Sequence, residues 1–277
     1  MTLEQFCAAM GVLLPKSLAQ GRWIRCGTKD HPKSKSGAVK FMGRFAFVRN
    51  WEVADGTGTW FADGESIEAR KEVREMVRKA DDEVRRNAQK AAQRAEQILS
   101  ECELAPHPYL ASKGFPDELV NVWGREAENI MVVPMRCAGQ IVGCQQIKPD
   151  GDKKFLYGQR SGGAEFVIGQ RGTHVLCEGY ATALSTQQAL RNLKLQYVLH
   201  TCFSAGNMKK VAEGLPGGVV IADNDASGTG ERVAREIGWP YWMSDTVGED
   251  ANDYAQRRGV FALAMGMRHV LSGRLRA

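Results

Sequence analysis

Glu178 ends the apolar run VLCE and is followed by Gly179, while Asp223 and Asp225 end the run GVVIAD with Asn224 between them. In an open parallel sheet the carboxyl ends of the strands lie along one edge where ligands bind, so acids that end different strands converge there. Crowded carboxylates repel one another unless they share protons or hold a cation, and an oxygen-only cluster suits Mg²⁺. Glu249, Asp250 and Asp253 follow a later apolar segment and extend the same acidic set. Gly228 and Gly230 let the backbone turn closely beneath a phosphate, and a helix starting near Thr229 offers unpaired N–H groups to an anion. The chemistry implied is divalent-metal work on phosphates. The plainer role of the same residue types is to form turns and cap helices.

Ser204, Ala205, Gly206 and Asn207 follow another apolar run. Small residues there admit a ligand, and Asn207 could bind a phosphate or sugar oxygen; alternatively the segment is a helix cap. Upstream, Lys148, Lys153 and Lys154 in QIKPDGDKKF, with Arg160 in a Gly-rich loop, supply counter-charge for a phosphate site or form a solvated face. The chain has neither a phosphate loop with its lysine nor a GxGxxG after the first strand, which disfavours ATP hydrolysis of the P-loop kind.

These residues need a frame. From Val175 onward apolar strands alternate with single helices, which predicts an α/β fold with a parallel sheet flanked by helices. Residues 105–170 read as strands around the turn RCAGQ and a basic loop. Between 65 and 104 apolar residues return every three or four positions from Val73 to Ile98, with charges elsewhere, predicting one long connecting helix able to pair with a second copy. Residues 1–64 read as a small α+β domain in which Trp23, Phe41, Phe45, Phe47, Trp51 and Trp60 recur, and 261–277 as a C-terminal helix or tail.

Composition narrows the classes. The 277 residues carry a formal charge of +5, but residues 16–50 hold nine Lys or Arg against the single acid Asp30, the footprint of a polyanion-binding or solvated face. Aromatics among lysines suit single strands, although in so small a domain they also suit its core. Seven cysteines without a CxxC pair read as reduced, mostly buried thiols. Cys26 and His31 make only half of a zinc set, so no zinc is expected. No apolar run approaches a membrane span and no basic segment precedes the first apolar residues, so a cytoplasmic protein without membrane contact is expected.

The segment from His107 to Gly259 resembles the Toprim-containing primase-like proteins of bacterial plasmids and phages, the group that includes conjugative-plasmid primases. The resemblance rests on HPYLASKG at 107–114, IVGCQQIKPDGDKKFLYG at 141–158, CEGYATALS at 177–185, SAGNMKKVAEGL at 204–215, IADNDASGTG at 221–230 and GEDANDY at 248–254. It implies a Toprim domain over 171–260, preceded at 105–170 by the first part of a catalytic core. It further implies Glu178 as general acid/base or metal ligand and Asp223 and Asp225 as Mg²⁺ ligands, Mn²⁺ substituting, with Asp250 or Asp253 completing the acidic surface. Thr182 stands where many bacterial primases carry an acid. The expected activity is synthesis of short primers from nucleoside triphosphates on single-stranded DNA, beside a separately encoded helicase. The competing expectations are a Toprim nuclease and a noncatalytic single-strand-binding replication accessory protein.

Overall fold

The computed structural model describes residues 1–53, 55–64, 66–124 and 129–272, so residues 273–277 of the expected C-terminal tail lie outside the described residues. Two compact units divide the chain, Met1–Glu83 and Val84–Ala277.

In the first unit Thr2 opens helix α1 (Leu3–Ala9), its hydroxyl accepting from the Gln5 N–H while the Gln5 side chain accepts from the Thr2 N–H. Strands β1 (Trp23–Cys26), β2 (Gly37–Phe41), β3 (Phe45–Asn50) and β4 (Thr57–Phe61) follow in an antiparallel sheet of that order. Alternation sorts their side chains onto two faces. Val39, Ala46 and Val48 bury against Cys7 and Val12, with Phe6, Met10, Phe41 and Trp60 packed around them. Gly58 allows α1 to lie close, because a Cβ there would stand 2.8 Å from the Phe6 ring.

Helix α2 (Ile67–Ser100) begins in the first unit and ends in the second. Its last turns bury Ala95 and Ile98 against Val132 and Cys144. Next come β5 (Glu103–Ala105), α3 (Pro108–Ser112), β6 (Val120–Trp123), β7 (Ile130–Cys137), β8 (Gln140–Ile147) and β9 (Lys153–Phe155), the five strands forming an antiparallel sheet in chain order.

The remaining elements are β10 (Phe166–Ile168), β11 (Thr173–Cys177), α4 (Tyr180–Asn192), β12 (Tyr197–Thr201), α5 (Ala205–Ala212), β13 (Gly218–Ala222), α6 (Thr229–Ile237), β14 (Tyr241–Met243), α7 (Ala251–Arg258) and α8 (Val260–Ser272). Their sheet runs β10-β12-β11-β13-β14, with β11 parallel to β12 and β13, β13 parallel to β14, and β10 antiparallel to β12. Both faces are covered. Val175, Leu199, Val219 and Ile221 meet Ala183, Leu190, Ala251, Leu263 and Met267 on one side. On the other, Leu176, Val220 and Ala222 meet Met208, Val211 and Ala234. Cys177 lies in the first of these layers and Cys202 in the second, both fully buried and both free thiols.

The expected parallel, Toprim-type sheet therefore does not describe this chain. Among the described residues eight of the eleven strand pairings are antiparallel, giving an α/β fold with mostly antiparallel sheets. Short connections join β1 to β4 and β7 to β9, and a short connection forces neighbours to run antiparallel, whereas parallel neighbours need a crossover such as α4, α5 or α6. No helix among the described residues is long and apolar enough to cross a membrane.

Candidate functional site

The acids gather where β11 and β13 end. Glu178 directly follows β11, and the next residue, Gly179, is the N-cap of α4. Asp223 directly follows β13. Gly230 in the first turn of α6 passes so close that a Cβ would fall 2.1 Å from the Asp223 carbonyl oxygen. Asn224 ties this loop to the next, donating from its side chain to the Ser244 carbonyl at 3.0 Å and from its N–H to the Glu249 carbonyl at 3.0 Å. A cavity of about 210 Å³ lies among Glu178, Asp223, Asp250, Thr182 and Lys153. Burial, then the neighbouring Glu178 and Asp250 carboxylates, push Asp223 up to about 7. Burial and Asp225 raise Glu178 as well. Among the described residues, none donates a hydrogen bond to the buried Oδ1 atom of Asp223.

Asp225, Asp250 and Asp253 are held by donors at helix starts. Asp225 turns into the start of α6, where Oδ1 accepts from the Ser227 N–H at 2.9 Å and from the Ser227 hydroxyl, and Oδ2 accepts from the Gly230 N–H at 2.8 Å. Led by the Ser227 hydroxyl, these donors hold it down at about 2. Asp250 caps α7, its Oδ1 accepting from Asn252 at 2.7 Å and Asp253 at 2.8 Å, while its Oδ2 accepts from the Thr182 hydroxyl at 3.0 Å. Asp253 closes the capping box and takes Lys113 at 3.1 Å.

This arrangement overturns the expectation of a primase-like nucleotidyltransferase that makes primers with Mg²⁺ held by Glu178, Asp223, Asp225, Asp250 and Asp253. Among the described residues, no group of three or more His, Cys, Asp or Glu side chains is placed to hold a metal ion. The physical reason is competition: backbone N–H groups at the starts of α6 and α7 already occupy the Asp225 and Asp250 carboxylates. Glu178 also takes a backbone N–H, that of Ala205 at the start of α5, which leaves Asp223 as the acid without such a role.

Of the basic residues, Lys153 lines the cavity, its Nζ 5.7 Å from the Tyr109 ring centroid. Lys148 and Lys154 instead reach Asp152, at 3.3 and 3.6 Å. Arg160 donates to the Gly162 carbonyl at 3.2 Å. Ser204 caps α5, accepting from the Asn207 N–H at 3.3 Å, and Gly206 lies in that helix's first turn. Asn207 is buried, with Oδ1 accepting from the Gly163 N–H and Nδ2 donating to the carbonyls of Ala164 and Cys202, all at 2.7 Å. Its amide is fully occupied in joining loops.

The sequence reading missed Gln145, Tyr109, Phe155 and Phe203 as cavity-lining residues. Tyr109 was within the HPYLASKG motif, where His107 caps α3 by accepting from the Tyr109 N–H at 3.3 Å. Phe203, in the left-handed region at φ +67°, and Phe155 meet edge to face with centroids 6.5 Å apart. Nothing in the local sequence announces that approach.

A second candidate site lies within the first unit. The face of its sheet turned away from α1 carries Trp23 and Arg25 on β1, Lys40 on β2, and Phe47 and Arg49 on β3, as cross-strand register requires. Just past β3, the Trp51 ring has the Arg25 guanidinium carbon 3.8 Å from its centroid and that of Arg49 at 5.2 Å. Trp23 and Phe47 are 6.4 Å apart, centroid to centroid. Trp23 is 47% exposed and Trp51 44%. Among the described residues no carboxylate forms an ion pair with Arg25, Lys40 or Arg49. Exposed rings beside unpaired cations can stack bases and attract phosphates.

No protein-family model matches the chain, and no curated protein matches it. Among solved structures, it is similar to a chain in the structure of bacteriophage T7 lagging-strand DNA polymerase interacting with primase domains of two gp4 subunits bound to an RNA/DNA hybrid and dTTP. The identity is 14%, the match covers 61% of this chain and 91% of that one, and the TM-score is 0.42. A likeness that distant carries no argument about activity.

Proposed function

We propose that this protein binds single-stranded nucleic acid through the Trp23- and Trp51-bearing face of its N-terminal sheet, in the manner of an accessory protein rather than a primer-synthesising enzyme. The observation that carries the reading is the Arg25–Trp51–Arg49 stack beside Trp23 and Phe47. Rings on a rigid sheet offer base stacking without sequence preference, and the guanidiniums supply the salt-sensitive backbone attraction. Fluorescence anisotropy with a labelled oligothymidylate tests it, comparing wild type with Arg25→Ala/Arg49→Ala across a salt series. Binding that weakens with salt and is reduced in the double variant supports the reading; no binding by wild type even at low salt overturns it.

A second reading rests on the Asp223 Oδ1 atom, buried beside Glu178 without a donor among the described residues. We infer that these two carboxylates take Mg²⁺ or Mn²⁺ when water and a phosphate complete the coordination, since Mg²⁺ is commonly held by one or two carboxylates with such partners. The cation would polarise a phosphodiester, the chemistry of a nuclease. Lys153 contributes positive charge on the same cavity wall. Metal-dependent cleavage of single-stranded oligonucleotides by wild type, lost in Glu178→Gln, is the expected result; equal cleavage by both proteins sinks this reading.

A further inference from the structure

Beyond the stacking face, the first unit holds a cavity of about 400 Å³ bounded by Thr59 and Phe61 of β4 and by Arg70, Val73 and Arg74 of α2. Thr59 is the cross-strand partner of Phe47, so its side chain belongs to the same face as the exposed rings, one strand further on. Arg70 and Arg74, four residues apart, project from one side of the helix. Among the described residues the walls hold no carboxylate and Arg74 forms no ion pair. Val73 and Phe61 supply an apolar floor.

We propose that this cavity holds an internal phosphodiester of the strand whose bases stack on Trp23, Phe47 and Trp51, so that the nucleic acid crosses the sheet from β1 toward β4. The inference rests on the single-strand reading above and adds its path and backbone anchor. A planar guanidinium can grip two phosphate oxygens, and a threonine hydroxyl can donate to one of them. The path is short. Neighbouring strands lie about 4.8 Å apart, so crossing from β1 to β4 takes roughly 14 Å. An extended single strand laid across the sheet therefore brings its backbone to β4 within a few nucleotides of the rings.

Full-length wild type, Arg74→Ala, Arg74→Lys and Arg78→Ala are titrated with labelled oligothymidylate, with and without a 5′-phosphate, at several salt concentrations. Arg78 lies on the next turn of α2, outside the cavity. Loss of one single-strand phosphate contact lowers the slope of log affinity against log salt by about 0.7. The expected result is that decrease in Arg74→Ala, a smaller affinity loss with the slope retained in Arg74→Lys, and neither effect in Arg78→Ala. Tryptophan quenching at saturation stays the same throughout. If wild type binds but Arg74→Ala keeps its slope, or matches Arg78→Ala, the inference falls while the stacking reading stands. A preference for the 5′-phosphorylated strand that disappears in Arg74→Ala assigns the cavity to strand ends and overturns the internal contact. Absence of binding by wild type overturns both.

Discussion

The hydroxyl of Thr182, in the first turn of α4, donates to Oδ2 of Asp250, the cap of α7, at 3.0 Å, joining the two helices beside Asp223. Thr182→Val keeps the shape and removes the donor, leaving a carboxylate oxygen unsatisfied next to other acids. The expected loss is about 1–3 kcal/mol at neutral pH, the usual cost of a partly buried polar group without its partner. Urea unfolding of the variant against wild type measures it.

Asp223 sets a pH dependence whose sign is fixed by its raised value of about 7. In the unfolded chain an aspartate titrates near 4. Between those values the folded protein binds the extra proton, so this group's contribution to stability is full below about pH 4 and declines as pH rises through about 7. Asp223→Asn removes that decline. In EDTA, the variant should melt above wild type at pH 8, with the gap narrowing toward pH 4. A gap that grows as the pH falls would contradict the assignment.

Asn207→Ala distinguishes a ligand-binding asparagine from a structural one. The three hydrogen bonds of its side chain, to Gly163, Ala164 and Cys202, are all internal. The variant should lose about 2–4 kcal/mol of stability, since it leaves buried backbone groups without partners. Affinity for oligonucleotide, measured at a temperature where both proteins are folded, should be unchanged.

Trp51→Ala removes the ring shared by Arg25 and Arg49. Stacking on one aromatic is worth about 1–3 kcal/mol per base, so affinity for single strands should fall about 5- to 150-fold. The salt slope should change little, because no phosphate contact has been deleted. Trp60→Phe is the control on the opposite, core-facing side, where the indole N–H donates to the Met1 carbonyl at 2.8 Å.

Several elements were legible because local pattern and tertiary role agree. The period-3.6 stripe from Val73 to Ile98 corresponds to α2, and the apolar runs ending in Glu178 and Asp223 correspond to β11 and β13. Their convergence on one cavity also follows from strand direction. The preponderance of antiparallel pairing was not legible, since a short apolar run carries the same composition whichever way its neighbour runs. The fate of Asp225 was partly legible: Asp-x-Ser-x-Thr before a helix is an aspartate-turn signal, and the Ser227, Thr229 and Gly230 donors claim the carboxylate. The sorting of aromatics was written in register. Phe41 and Trp60 fall on the core face with Val39 and Ala46, while Trp23, Phe47 and Trp51 take the other. Only the pairing of β1 with β2 and β3 reveals that division.

The buried thiols of Cys177 and Cys202 give the central sheet a chemical clock. Both are raised above the ordinary thiol range by burial, so each stays protonated and inaccessible in the closed fold. A thiol-specific reagent can reach them only when the layers on either side of the sheet part. Because Cys177 belongs to the layer of α4, α7 and α8 and Cys202 to that of α5 and α6, the two labelling rates would time the openings of opposite faces separately. Equal rates would mean that the sheet opens as one cooperative body; unequal rates would order the failure of its two sides.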